Sequence, residues 1–119
     1  MQVDLVDDDG IPVKDNEEGH IVVKCVPTKP NGIFIDYWKD ADLNESVFRN
    51  GYYYTQDKAY RDTDGYHWFI GRSDDVFKSS GYRIGPFEVE TALLSSGYCA
   101  EAAVIGVPDD IRGSIIKVI

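Results

Sequence analysis

Apolar and polar positions alternate in short stretches along this chain, with few long helical stripes. Val3 and Leu5 stand against polar neighbours and predict a strand over Gln2–Val6. Asp7-Asp8-Asp9-Gly10 then turns the chain, and Ile11–Val13 returns beside it, with Pro12 suited to a sheet edge. A second turn, Asn16-Glu17-Glu18-Gly19, leads into His20–Val26, a β-branched run that reads as a buried strand. Two prolines and a glycine make Pro27–Gly32 a loop. Gly32–Tyr37 is aromatic and apolar, and a further short strand is expected there.

Asp42, with Glu45 three residues on, fits a helix start with Asp42 as the N-cap. Leu43 and Val47 share one face of that short helix, and Asn50-Gly51 ends it. Tyr52–Thr55 and Lys58–Arg61 read as two strands flanking Gln56-Asp57. Asp62–Gly65 is a hairpin turn, and Tyr66–Ile70 is the returning strand.

The texture changes after Gly71. Val76–Lys78 and Tyr82–Ile84 are expected to pair around Ser79-Ser80-Gly81. Gly85-Pro86 starts a helix, with Pro86 at its first position and Glu88 and Glu90 in its first turn, where carboxylates favour the dipole. Val89, Ala92 and Leu93 share a face, and Gly97 ends the helix. Ala100–Val107 reads as a strand that Pro108-Asp109-Asp110 breaks. Ser114–Ile119 opens another β run and stops with no partner to follow, which reads as truncation in mid-domain, with a natural edge strand as the alternative. Pattern and spacing alone leave a mainly β chain with a possible ligand-facing hairpin.

Composition adds exclusions. The 119 residues carry 21 acids and 12 bases, a formal net charge of −9. Met1–Ile70 holds 14 acids and 7 bases, so the excess is concentrated there. Nucleic acids and anionic membranes require basic patches, and this balance argues against both. The 43% hydrophobic content is that of a folded chain. Cys25 and Cys99 lie in apolar runs and read as reduced core thiols. No apolar run approaches the ~20 residues of a membrane span. The opening residues, with Asp4 and no apolar h-region, do not read as a signal peptide.

Candidate chemistry is sparse on spacing alone. The Asp7–Asp9 turn lacks the ligand spacing of a calcium loop and reads as a solvated turn. His20 and His67 have no partner at metal-ligand spacing and read as structural; no metal site and no catalytic triad is visible. Asp57 is a turn residue or a carboxylate able to accept two sugar hydroxyls. Arg72 and Arg83 are surface ion-pair partners, Arg72 with Asp74 or Asp75, or forks for phosphate and sugar. Gly81 and Gly85 supply either positive φ or close approach to a ligand, or are ordinary turn glycines.

A set of motifs changes these odds. Tyr54-Thr55-Gln56-Asp57, Asp64-Gly65-Tyr66, Gly71-Arg72-Ser73-Asp74-Asp75 and Ser80-Gly81-Tyr82-Arg83-Ile84-Gly85-Pro86-Phe87-Glu88-Val89-Glu90 occur in order, followed by Pro108-Asp109 and Arg112-Gly113. In order and spacing they resemble the adenylate-forming superfamily of acyl-CoA synthetases, peptide-synthetase adenylation domains and luciferases. The wording of Gly81–Glu90 and the Pro27–Phe34 loop is most similar to the medium-chain acyl-CoA synthetases. The resemblance runs over essentially the whole chain.

That resemblance implies an enzyme that joins a carboxylate to ATP as an acyl-adenylate and then transfers the acyl group to CoA, with Mg2+ accompanying ATP. It implies an α+β chain in which residues 1–71 are the mostly antiparallel β end of the large AMP-binding domain, 72–75 form a hinge, and 76–119 begin a small α+β domain. By position, Asp57 resembles the residue that holds the ribose hydroxyls of ATP or AMP. Arg72 resembles an Arg that reaches the ribose, and Arg83 one that contacts the nucleotide phosphate. Asp74 resembles the hinge residue. Ser79, Ser80, Gly81 and Tyr82 resemble the loop lining the pantetheine tunnel, Gly81 closest. One departure stands out: Gln56 occupies a position that is usually Gly, and a positive φ there would cost Gln on the order of 1 kcal/mol.

The family's phosphate-binding loop and its adenine and acyl pocket would precede Met1, its adenylating Lys would follow Ile119, and its Mg2+ ligands are expected outside the chain; Lys117 is no substitute. No catalytic residue is therefore expected within the chain, and the isolated 119 residues are expected to be inactive. Rival expectations are an adenylation domain that loads a carrier protein and a non-catalytic β-rich binding module. The compartment expected is cytoplasm, or mitochondrial matrix for an animal source. Oligomeric state and acyl specificity are not legible.

Overall fold

The computed structural model describes residues 1–119 as two compact units, Met1–Phe69 and Ile70–Ile119. The architecture is α+β, mostly antiparallel sheet with two helices, as expected. Neither helix is long and apolar enough to cross a membrane.

The first unit holds β1 (Val3–Val6), β2 (Glu18–Lys24), α1 (Ala41–Val47), β3 (Phe48–Arg49), β4 (Tyr52–Arg61) and the start of β5 (His67–Arg72). The sheet runs β1-β2-β4-β3, with β5 also paired to β4. Pairings β1–β2, β2–β4 and β3–β4 are antiparallel. Val6, Val22 and Tyr54 form the core, with Tyr52 packed against it. Val22 sits directly opposite Tyr54, so these two core residues form a cross-strand pair on one face of the sheet.

Several local expectations change. Gly32–Tyr37 forms no strand. The Phe34 ring instead packs on Tyr37, Phe48 and Tyr53 at 4.8, 5.5 and 5.2 Å, and the Asn44 side chain bonds both the N–H and the carbonyl of Tyr37. Aromatic content here serves a ring cluster rather than a ladder. The N-cap of α1 is Asp40, whose carboxylate accepts from the Leu43 N–H at 3.1 Å; Asp42 lies inside the first turn. Asn50 and Gly51, at φ 55° and 77°, are the two-residue turn between β3 and β4 rather than a helix stop. β4 is one strand, not two, and β2 begins at Glu18 and ends at Lys24.

The second unit contains the hairpin β6 (Phe77–Ser79) and β7 (Tyr82–Ile84), α2 (Pro86–Ser95), and the hairpin β8 (Val104–Asp109) and β9 (Gly113–Val118). Pro86 opens α2 behind an extended Gly85, and Gly97 at φ 76° follows its end. Glu88 lies in the first turn, but Glu90 lies beyond it, and its carboxylate accepts from the Val104 N–H at 3.0 Å. That bond ties α2 to β8. Pro108 does not break β8: it pairs with Ser114 inside the hairpin. A two-stranded hairpin leaves one side of each strand without a ladder, which a residue lacking N–H tolerates. The Ser114–Ile119 run pairs back onto the preceding β8 as far as Val118.

Candidate functional site

In β4 the register slips. His20 faces Lys58 and Val22 faces Tyr54, so Ile21 alone opposes Thr55, Gln56 and Asp57. Gln56 takes φ 69°, the left-handed region that its motif position required. The Thr55 hydroxyl donates to the Ile21 carbonyl at 2.9 Å, and its oxygen accepts from the Asp57 N–H at 3.3 Å. One side chain thus fills the ladder that the bulge interrupts. Bulges re-aim the residues they carry, and here the residue carried is the carboxylate of Asp57.

Beside this bulge lies a cluster that spacing did not reveal. The His20 ring, edge-on to Tyr54 at 5.6 Å, contacts the Asp8 carboxylate at 2.5 Å. Hydrogen bonding to His20, with Lys58 and Arg49 nearby, holds the Asp8 carboxyl below its usual pKa. The Asp7 carboxylate accepts from the N–H groups of Asp9 and Ile11, so the acidic turn is held by its own backbone.

In the second unit, the Arg72 Nε donates to the Asp74 carboxylate at 3.2 Å, and the Asp75 N–H reaches the Arg72 carbonyl at 3.3 Å, closing a turn. Both partners of the ion pair are substantially exposed, at 43% and 62%, so the pair adds little stability. It can be exchanged for another partner at small cost.

Ser80 and Gly81, at φ 52° and 83°, form the two-residue turn of the β6–β7 hairpin, with Ser79 and Tyr82 as the flanking pair. Open space surrounds the place where a Gly81 side chain would sit, so its positive φ is what calls for glycine. Gly85 is the opposite case. Its φ is −93°, and a Cβ there would come within 3.3–3.5 Å of Glu88 and Ile70. Arg83 faces Lys78 across the hairpin; burial pulls its guanidinium below the ordinary value, and Glu88 partly counters this. Arg72, Asp74, the Ser79–Tyr82 turn and Arg83 thus belong to the second unit, and Asp57 to the first.

Comparison with known proteins fits these motifs. Residues 88–119 match the family described as AMP-binding enzyme C-terminal domain. The chain is 54% identical over 95% of its length to 4-hydroxybutyrate–CoA ligase 1 of Metallosphaera sedula. It is 46% identical over 98% of its length to mitochondrial acyl-coenzyme A synthetase ACSM3 of Rattus norvegicus. In each case it spans about a fifth of the relative's length. Among solved structures, o-succinylbenzoate CoA synthetase of Bacillus subtilis, in complex with an acyl-adenylate intermediate, matches with a TM-score of 0.84 and 33% identity. That match covers 98% of this chain and 23% of the synthetase. An anthranilate CoA ligase bound to anthranoyl-AMP matches with a TM-score of 0.80 at 34% identity. The chain is therefore similar, over nearly all its length, to a segment of acyl-CoA synthetases and other adenylate-forming enzymes.

Proposed function

We propose that this chain is part of an ATP-dependent acyl-CoA synthetase of medium-chain type, and that it carries the junction between the large and small domains. The observation that carries the reading is the match over 98% of the chain to a synthetase holding its acyl-adenylate. In the reaction, a carboxylate oxygen attacks the α-phosphorus of ATP, pyrophosphate leaves, and an acyl-adenylate forms. The CoA sulfur then attacks the acyl carbonyl, its proton passes to solvent, and AMP leaves.

Within this reading, residues 1–71 close the large domain, 72–75 are the hinge and 76–119 begin the small domain. Asp57 holds the ribose hydroxyls, as an acceptor at a bulge is suited to do. Arg72 reaches the ribose once its exposed contact with Asp74 is exchanged, and Asp74 is the pivot. Arg83 contacts the nucleotide phosphate. Ser79, Ser80, Gly81 and Tyr82 line the tunnel through which the thiol arrives. Mg2+ enters with ATP, and no ligand to it is assigned within this chain. Residues outside the chain supply the adenylating Lys. A cytoplasmic or mitochondrial-matrix location suits these substrates.

The test uses the full-length protein. ATP–pyrophosphate exchange dependent on a medium-chain carboxylate, followed by thioester formation with free CoA, is expected. Exchange with transfer only to a carrier protein would replace the acceptor; absence of exchange would favour a non-catalytic binding module. Asp57→Ala is expected to raise the KM for ATP, and an unchanged KM would remove the ribose role.

A further inference from the structure

The turn that joins β8 to β9 is built around one carboxylate. Asp109 and Gly113 form the last pair of the hairpin, and residues 110–112 are the loop. The Asp109 Oδ2 accepts from the N–H groups of Ile111 at 3.2 Å and Arg112 at 2.8 Å. Gly113 follows at φ 81°, the left-handed residue that closes such loops. These bonds fix the two peptides on either side of Ile111 and so place Arg112, whose carbonyl, in the next peptide along, accepts from the Ser80 N–H at 2.9 Å. Ser80 is the first turn residue of the β6–β7 hairpin, whose ladder bonds do not use that N–H. The hairpin tip is thus held from outside, at the residue beside Gly81.

A second anchor lies at the other end of the same hairpin strand. A Cβ on Gly106 of β8 would fall 2.6 Å from the Phe77 ring, so the ring lies directly on the β8 backbone. The β6–β7 hairpin is therefore seated on the β8–β9 hairpin at Phe77 and at Ser80.

We propose that Asp109 is a positioning residue for the Ser79–Tyr82 loop, acting through the Arg112 carbonyl. The inference rests on the reading of that loop as the lining of the thiol tunnel. A tunnel wall moved by about 1 Å lowers the rate of the step it serves far more than it lowers stability. Adenylation, which does not use the tunnel, is spared.

The experiment compares Asp109→Ala, Asp109→Asn and Gly81→Leu in the full-length enzyme, measuring ATP–pyrophosphate exchange and CoA-dependent thioester formation separately. Asp109→Ala is expected to lower thioester formation, or raise the KM for CoA, on the order of tenfold, with exchange within roughly twofold of the parent. Asp109→Asn keeps an acceptor oxygen and is expected to restore most of the loss. Gly106→Ala, which displaces the other anchor, is expected to lower the same half-reaction. If Gly81→Leu blocks thioester formation while Asp109→Ala does not affect it, the positioning role is wrong and the tunnel reading stands. If Gly81→Leu has no effect, the tunnel reading fails and the proposal fails with it. Equal loss of both half-reactions in Asp109→Ala, unrescued by Asn, would make Asp109 a general stability residue and overturn the proposal.

Discussion

Thr55 donates its hydroxyl hydrogen to the carbonyl of Ile21 across the only slip in the β2–β4 register, at 2.9 Å. A threonine is needed there in a way that a β-branched hydrocarbon cannot satisfy. Thr55→Val keeps the shape and strand propensity but leaves the Ile21 carbonyl and the Asp57 N–H without that partner. It is expected to cost about 1–2 kcal/mol in urea unfolding, with Thr55→Ser losing less. Equal stability of the Val variant and the parent would show that the bulge holds without the hydroxyl.

Gln56 pays for its left-handed backbone at φ 69°. Glycine removes the Cβ penalty of about 1 kcal/mol and returns part of the gain through its freer unfolded chain. Gln56→Gly is therefore expected to stabilise by a few tenths to about 1 kcal/mol, visible as a higher melting temperature. A lower one would mean that contacts of the Gln side chain outweigh the backbone strain.

Asp62 gathers the Trp68 indole N–H at 2.8 Å and the N–H groups of Asp64 and Tyr66. The indole bond first, then the backbone bonds, hold its carboxyl below the ordinary Asp value of 3.8. A folded-state pKa below the unfolded one gives stability that is present above the unfolded value and lost as pH falls through the folded value. The window is thus below about pH 4. Trp68, stacked on Tyr60 at 6.4 Å, reports the loss in its fluorescence. Asp62→Asn is expected to flatten the acid limb of that signal; an unaltered limb would remove Asp62 from it.

Asp74→Pro fixes one backbone torsion in the exposed turn from Arg72 to Asp75 and removes the carboxylate that Arg72 contacts. In the full-length protein, the proposed role of Asp74 as a pivot predicts unequal effects on adenylation and thioester formation. Parallel loss in both, measured side by side, would point to misfolding instead.

The strands around the core were legible because β-branched and aromatic residues, Val22 and Val23 in β2 and Tyr52 to Tyr54 in β4, favour extended backbone. The Ser80-Gly81 and Asp62–Gly65 turns were legible because their residues favour positive φ or capped turns. What stayed hidden was held by tertiary contact. Phe34 and Tyr37 look like strand residues until Phe48 and Tyr53 offer them a ring cluster. Glu45 three residues on favours Asp42 as the cap, but the Leu43 N–H bonds Asp40 instead. Pro108 reads as a breaker unless its strand is known to have a free side. At the candidate site, motif order put forward Asp57, Arg72 and the Ser79–Tyr82 turn as candidates. The support from Glu90, Gly106 and the Arg112 carbonyl involves a remote carboxylate, a missing side chain and a backbone atom, none of which spacing records.

The register of the sheets also sets an order of events in time. The β6–β7 and β8–β9 hairpins close across two and three residues, while β2 must wait for β4 across the whole of residues 25–51. Local closure is fast, and long loops carry an entropic delay. The Ile70–Ile119 unit is thus expected to gain its hairpins before the Met1–Phe69 unit completes its ladder, although it is synthesised later. In pulsed hydrogen exchange, amides of β8–β9 should gain protection ahead of those joining β2 to β4, and the reverse order would refute this. A chain emerging from the ribosome would then carry an unfinished sheet edge at β2 until Tyr52–Arg61 arrives to cover it.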